Sequence, residues 1–221
     1  MVSQTRATET DEALLDAATQ VFSEHGFAGA RVDSIARLAK ANKAMIYYHF
    51  GSKRDLYRAV LLRLFKGVLE EIERVGRNEP DPRRRLILFY AGVARIFSER
   101  PALPQIMLRE VLSGGAAIDP ETTKTLSGIL AFVVRAIDQG VKERVIRPAH
   151  PLIVHLSALA PLLLFFASQP FRAKVLPSAA PGVPLPTPEQ MLEHLALLIE
   201  RGLEPVGEHE PAAGQPQKER R

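Results

Sequence analysis

Residues 41–56 read ANKAMIYYHFGSKRDL, and what these residues can and cannot bury decides the fold. Neighbouring side chains on a helix point in different directions, while those three or four apart share a face. Ile46 and Phe50, four apart, therefore form the inward pair of a short helix. Lys43, Ala44, Tyr47 and Tyr48 are left to face outward. Asn42 is a good cap for that helix. Gly51 offers a turn, and Ser52-Lys53-Arg54-Asp55 has the spacing of a capping box, with Asp in place of Glu, for the next helix.

Upstream, Leu14, Ala18, Val21 and Phe22 form an apolar stripe that His25-Gly26 closes, with Gly26 free to adopt a positive φ. Val32, Ile35, Ala36 and Ala39 make a second inward face, and Lys40-Ala41 is the break before Asn42. Two short helices at a tight turn, the second with polar and aromatic residues outward, suit a DNA major groove. There Lys43 would donate to guanine acceptors, and Ala44 and Met45 would touch thymine methyls. Tyr47, Tyr48, His49 and Lys53 would meet phosphates. From Arg31 to Ala59 the chain carries seven basic residues against two acidic ones, +5, while the whole chain carries only +4. That local excess fits a polyanion partner. The same pattern is also open to a structural α-hairpin, with Tyr47 in the core, His49 on the surface and the charges merely solvated.

The rest of the 221 residues are helical in period, with no run of strand-like alternation. Asp81-Pro82, Asp119-Pro120 and Thr187-Pro188 each place a cap before a proline at the first helical position. The pattern predicts an all-α protein of about nine helices, at 11–25, 33–40, 43–49, 53–77, 82–99, 102–113, 120–145, 151–169 and 188–203. The first three form a small head and the others a larger body. Pro177, Pro181, Pro184 and Pro186 predict a loop between Lys174 and Pro188. Residues 204–221 are polar and aperiodic and predict a disordered tail.

The function classes narrow by what is missing. The chain has no cysteine, so disulfides and thiolate chemistry are excluded, in keeping with a reducing cytoplasm. Its polar start, MVSQTRATETDE, is not expected to act as a secretory signal. The apolar run from Leu152 to Ala167 contains His155 and Pro161 and reads as a buried helix, with no membrane role. There is no phosphate-binding glycine loop, nucleophile elbow or metal-ligand cluster, so neither an enzyme nor a metal or cofactor site is expected.

In the order of its motifs the chain resembles the TetR/AcrR family of transcriptional regulators. The family pattern A-x-x-x-F-x-x-x-G-(F/Y) is met by Ala18, Phe22, Gly26 and Phe27. I-A-x-x-A is met by Ile35, Ala36 and Ala39. Y-x-H-F and the following K-x-x-L are met by Tyr47, His49, Phe50, Lys53 and Leu56. The resemblance covers residues 9–69, with the helix-turn-helix at 31–50, and more weakly a regulatory body at 70–203. It implies base-facing roles for Lys43, Ala44 and Met45, and phosphate contacts for Tyr47, Tyr48, His49 and Lys53. Two departures stand out. Arg31 replaces a capping threonine, and arginine cannot accept the cap bond although it can still bind phosphate. Lys40 replaces a turn glycine, so the backbone there must avoid or tolerate a left-handed conformation.

The resemblance further implies a homodimeric repressor released from a pseudo-palindromic operator by a small-molecule effector. The alternatives are an activator with the same head and a helical protein-binding adaptor. Dimer contacts are expected from helices 151–169 and 188–203, the first of them apolar almost all round; the alternative is that both simply fill one monomer's core. Effector contacts are expected at Phe89, Phe97, Met107, Arg109, Phe132, His155 and Phe166, with Glu110 as a further polar anchor. The effector itself is not identifiable from sequence.

Overall fold

Within the head, the predicted inward residues are the ones that pack. The structure, a computed structural model, describes residues 2–205. Helix α1 spans Val2–Gly29, and Gly26 (φ 68°, ψ 176°) breaks its helical backbone as foreseen. Its start is earlier than the expected residue 11. Leu14, Ala18, Val21 and Phe22 are buried where α1 packs on α2 (Val32–Leu38) and α4 (Lys53–Asn78), and α3 (Lys43–Phe50) packs on α2 and α4 in turn. Ile46 is fully buried and anchors α3, with Phe50 partly buried beside it.

The helix ends follow local chemistry. Asn42 accepts from the Ala44 amide at 2.9 Å. The Ser52 hydroxyl oxygen accepts from the Asp55 amide at 3.1 Å, and its proton goes to Asp55 Oδ2 at 2.5 Å. Asp55 thus does not reach back to the Ser52 amide as a glutamate would, and the box is closed side chain to side chain. Arg31 caps α2 by position but makes no side-chain cap bond. At the other end of α2 the left-handed conformation is tolerated rather than avoided: Lys40 has φ 52°. The Lys40 amide donates to Arg37 O and the Ala41 amide to Ala36 O, closing a Schellman turn.

The body is built on α5 (Pro82–Glu99), α6 (Ala102–Leu112), α7 (Pro120–Lys142), α8 (Pro151–Ala167), α9 (Gln169–Ala179) and α10 (Pro188–Leu203). Asp81 and Asp119 cap α5 and α7, and Thr187 with Gln190 forms a complete capping box on α10. Among the described residues there are ten helices, one more than expected, because α9 occupies the start of the proline-rich stretch. Pro170 sits in its first turn, where no amide is required, and only Pro177 falls inside the helix. The path from α8 to α9 bends by 77°, and no single described helix is long and apolar enough to cross a membrane. The expected disordered tail lies, from residue 206, outside the described residues.

Helix α4 ties the two parts together, packing on α1 and α3 at one end and on α5 and α7 at the other. One hydrophobic cluster runs from Leu14 to Leu203. Two polar inserts interrupt it. Glu71 on α4 is 3% exposed and lies against Gly92 of α5, where a Cβ would come within 2.2 Å of Glu71 Oε1. Its carboxylate is met by Arg74 from its own helix (2.5 and 3.0 Å) and by Arg95 from α5 (3.4 Å). Nearer the head, Tyr57 on α4 donates its hydroxyl to Glu110 Oε1 on α6 at 2.6 Å, both residues buried.

Candidate nucleic-acid interface

The outward face of α3 is built by exclusion: Ile46 takes the inward position, and Lys43, Ala44, Tyr47 and Tyr48 are exposed. Tyr48 is 83% exposed and Tyr47 46%. Large aromatic rings left this open on a short helix are candidates for contact with a partner. Met45 is half-buried and packs on the core, so only part of it is presented. Arg31 is exposed at the start of α2.

Three of the predicted contact groups already have partners inside the head. Lys43 Nζ lies 2.9 Å from Asp33 Oδ1, and this hydrogen bond and charge raise the lysine's pKa. Lys53 Nζ sits 4.7 Å above the centre of the Phe27 ring and donates to Ala28 O at 3.4 Å. Burial there pulls its pKa down, which marks an ammonium partly stripped of water and aimed by the protein. His49 is turned furthest inward: its side chain is 11% exposed and Nδ1 lies 2.6 Å from Asp11 Oδ1. Of the eight predicted residues, His49 is the one held within the head rather than presented on its surface. Sequence reading did not single out Asp11, Asp33, Phe27 or Ala28 for these roles, because each pairs with a residue distant in the chain.

The seven predicted effector residues are not gathered in one place. Phe89 and Phe97 are core, 1% and 3% exposed. Phe89 packs on Phe132 (ring centres 5.1 Å apart) and Phe97 on Phe166 (5.9 Å). Met107 is half-buried against the core. His155 Nδ1 is 2.9 Å from the Tyr90 hydroxyl, and burial lowers the histidine's pKa and raises the tyrosine's. Burial thus favours the neutral imidazole and the protonated phenol, which share one hydrogen bond. Arg109 belongs elsewhere. Its guanidinium donates to Ser23 O (3.0 Å) and Glu24 O (2.7 Å) at the end of the first segment of α1. Together with the bond from Tyr57 to Glu110, this makes adjacent residues of α6 grip α1 and α4 at once.

Such a head, with two short helices at a Schellman turn and the second presenting lysine and tyrosine on a buried anchor, defines a helix-turn-helix DNA-binding protein. Residues 14–60 match the model described as bacterial regulatory proteins, tetR family. The chain is 30% identical over 162 residues to the HTH-type transcriptional repressor NicS of Pseudomonas putida, covering 73% of this chain and 76% of that protein. It is 28% identical over 140 residues to the HTH-type transcriptional regulator RutR of Escherichia coli, covering 63% and 66%. A TetR family transcription regulator from Marinobacter aquaeolei superposes with a TM-score of 0.71 at 21% identity, over 92% of this chain and all of that one, which shows a shared fold. The chain belongs to the tetR family of bacterial regulatory proteins. It is a DNA-binding transcriptional regulator, in a family of regulators rather than of enzymes.

Proposed function

We propose that the protein acts in the cytoplasm as a homodimeric repressor that binds a pseudo-palindromic operator through the head (residues 9–69) and is released by a small molecule bound in the body (70–203). The observation that carries the operator reading is the outward face of α3, where Lys43, Ala44, Tyr47 and Tyr48 stand exposed on the buried Ile46. In this reading Lys43, Ala44 and Met45 read bases. Tyr47, Tyr48, Lys53 and Arg31 hold phosphates, and His49 contributes by orienting α3 through Asp11.

Dimerisation is supported by the apolar side chains that the monomer leaves open. Leu152, Ile153 and Leu156 on α8 and Leu197 and Leu198 on α10 are each more than 40% exposed. Two α8–α10 pairs facing across a two-fold axis would bury them. Two α3 helices about one helical turn apart (~34–36 Å) could then read both half-sites. For the effector, the body offers a largely apolar interior that includes a part-buried polar pair, Tyr90 and His155, with Phe89 beside Tyr90. That is the composition of a small-molecule site. A ligand that binds one spacing of the heads better than the other shifts the population by its differential affinity.

Family membership decides for a regulator over an adaptor. An activator remains the second reading, because the HTH-type transcriptional activator FasR of Mycolicibacterium smegmatis is 40% identical over 73 residues. The test is selection of bound genomic fragments by the purified protein, followed by titrations across salt. The expected product is one motif with two-fold symmetry. Lys53→Ala should weaken binding to every duplex and make the log–log salt slope shallower by about 0.9 per lysine removed. No enriched motif, or operator binding unchanged in a Tyr48→Ala, Lys53→Ala double variant, would refute the reading. A reporter gene placed behind the recovered motif separates repression from activation.

A further inference from the structure

Asp33 is a residue that the operator reading does not use, yet it sits against the group assigned to read bases. It lies in the first turn of α2, ten residues before Lys43, and the helix-turn-helix geometry brings the two side chains to 2.9 Å. Both are open to solvent, Asp33 at 71% and Lys43 at 47% of the side chain, so the pair stands on the outer surface and supports no core. A carboxylate on a surface meant for a polyanion works against binding. Its position beside this one lysine points to a compensating role.

We propose that Asp33 is a specificity-determining residue: it holds the Lys43 ammonium away from phosphates, so that the lysine is released only to a base that offers acceptors in the groove. The physical ground is that specificity is a difference between two affinities and can be raised by weakening the wrong complex. A free lysine gains from any phosphate and so strengthens all duplexes alike. A lysine held by Asp33 must give up that exposed ion pair first, a loss of about 1.5- to 5-fold in binding. Guanine O6 and N7, two acceptors side by side, repay the loss where a single phosphate repays less. Asp11, by contrast, meets His49, whose side chain is only 11% exposed, so that contact holds back no outward base-reading group.

The inference rests on the operator reading, and its test keeps the two apart. Wild type, Asp33→Asn, Lys43→Ala and the double variant are titrated with the selected operator and with a scrambled duplex, across salt. Asparagine keeps the size of the side chain, and thermal melting shows whether each variant is folded. Asp33→Asn is expected to bind the scrambled duplex about 1.5- to 5-fold more tightly, with a steeper salt slope by about 0.9. Its operator-to-scrambled ratio falls, and in the Lys43→Ala background the same substitution leaves that ratio unchanged. An unchanged ratio and slope in folded Asp33→Asn, or an equal effect with Lys43 absent, overturns the role of Asp33 while the operator reading stands. If wild type itself does not distinguish the two duplexes, both fall together.

Discussion

Removing one oxygen atom from Tyr57 tests how the head is held to the body. Tyr57 is 1% exposed and its ring is packed edge-on against Phe22 (centres 4.7 Å apart) and beside Phe27 (5.1 Å). Tyr57→Phe preserves those contacts and deletes only the donor to Glu110 Oε1 at 2.6 Å. Burial first, and Glu110 second, push the phenol pKa far above its usual range, so the hydroxyl keeps its proton and donates at any working pH. Glu110 is 5% exposed, and its other oxygen, Oε2, is buried without a hydrogen-bond partner. The variant therefore strands a buried acid, and a hydrogen bond to a charged group is worth about 1.5–3 kcal/mol. For a chain of this size that is a fall in Tm of roughly 3–12 °C. Differential scanning calorimetry reads it directly. Glu110→Leu combined with Tyr57→Phe should cost less than Tyr57→Phe alone, because no unpaired acid remains. A Tyr57→Phe variant that melts within 1 °C of wild type, or a double variant that simply adds the two losses, would show that this bond does not hold the junction.

Lys40→Gly should raise stability by about 0.5–1 kcal/mol. It relieves a left-handed lysine, at about 1–2 kcal/mol, against the greater freedom of glycine in the unfolded chain; a lower melting temperature would contradict this. Gly92→Ala should destabilise by about 1–3 kcal/mol, because its methyl group meets Glu71. Adding Glu71→Ala should recover part of that loss in denaturant titrations, and strict additivity would argue against the contact. Burial lowers the pKa of His155 below the ordinary value of about 6.5. As pH falls through 6.5 the unfolded chain takes up a proton that the native fold resists, so stability declines until the native imidazole is protonated too. His155→Asn should flatten that decline in melts between pH 7 and 5, and an unchanged slope would refute it.

Much of this was legible in the sequence because it is local. Asn42, Ser52, Asp81, Asp119 and Thr187 set helix starts through bonds that reach two or three residues along the chain. Ile46 and the stripe of α1 set the inward faces by period alone. What sequence did not yield are pairings that the fold brings together: Asp11 with His49, Asp33 with Lys43, Tyr57 with Glu110, and Gly92 with Glu71. Arg109 and Glu110 were read as effector anchors from their place on a body helix. Packing assigns them to the junction with the head. Helix α9 was missed because Pro177 was read as part of a loop, whereas it falls inside the last turn of the helix.

The close approach of Gly92 to Glu71 also sets a mechanical scale. It fastens α4 to α5 eighteen residues beyond Lys53, which at 1.5 Å per residue is an arm of about 27 Å. Tyr57, held by α6, stands about 21 Å along the same arm. If the clamp at Glu71 is the pivot, a tilt of about 5° at that end would carry Lys53 sideways by about 2 Å. Such a shift is about the whole span between a good hydrogen bond to a phosphate and none. In a pair of such arms the shifts add across the two-fold axis. A body that rearranges by less than the width of a methyl group could therefore take the two heads out of register with their half-sites.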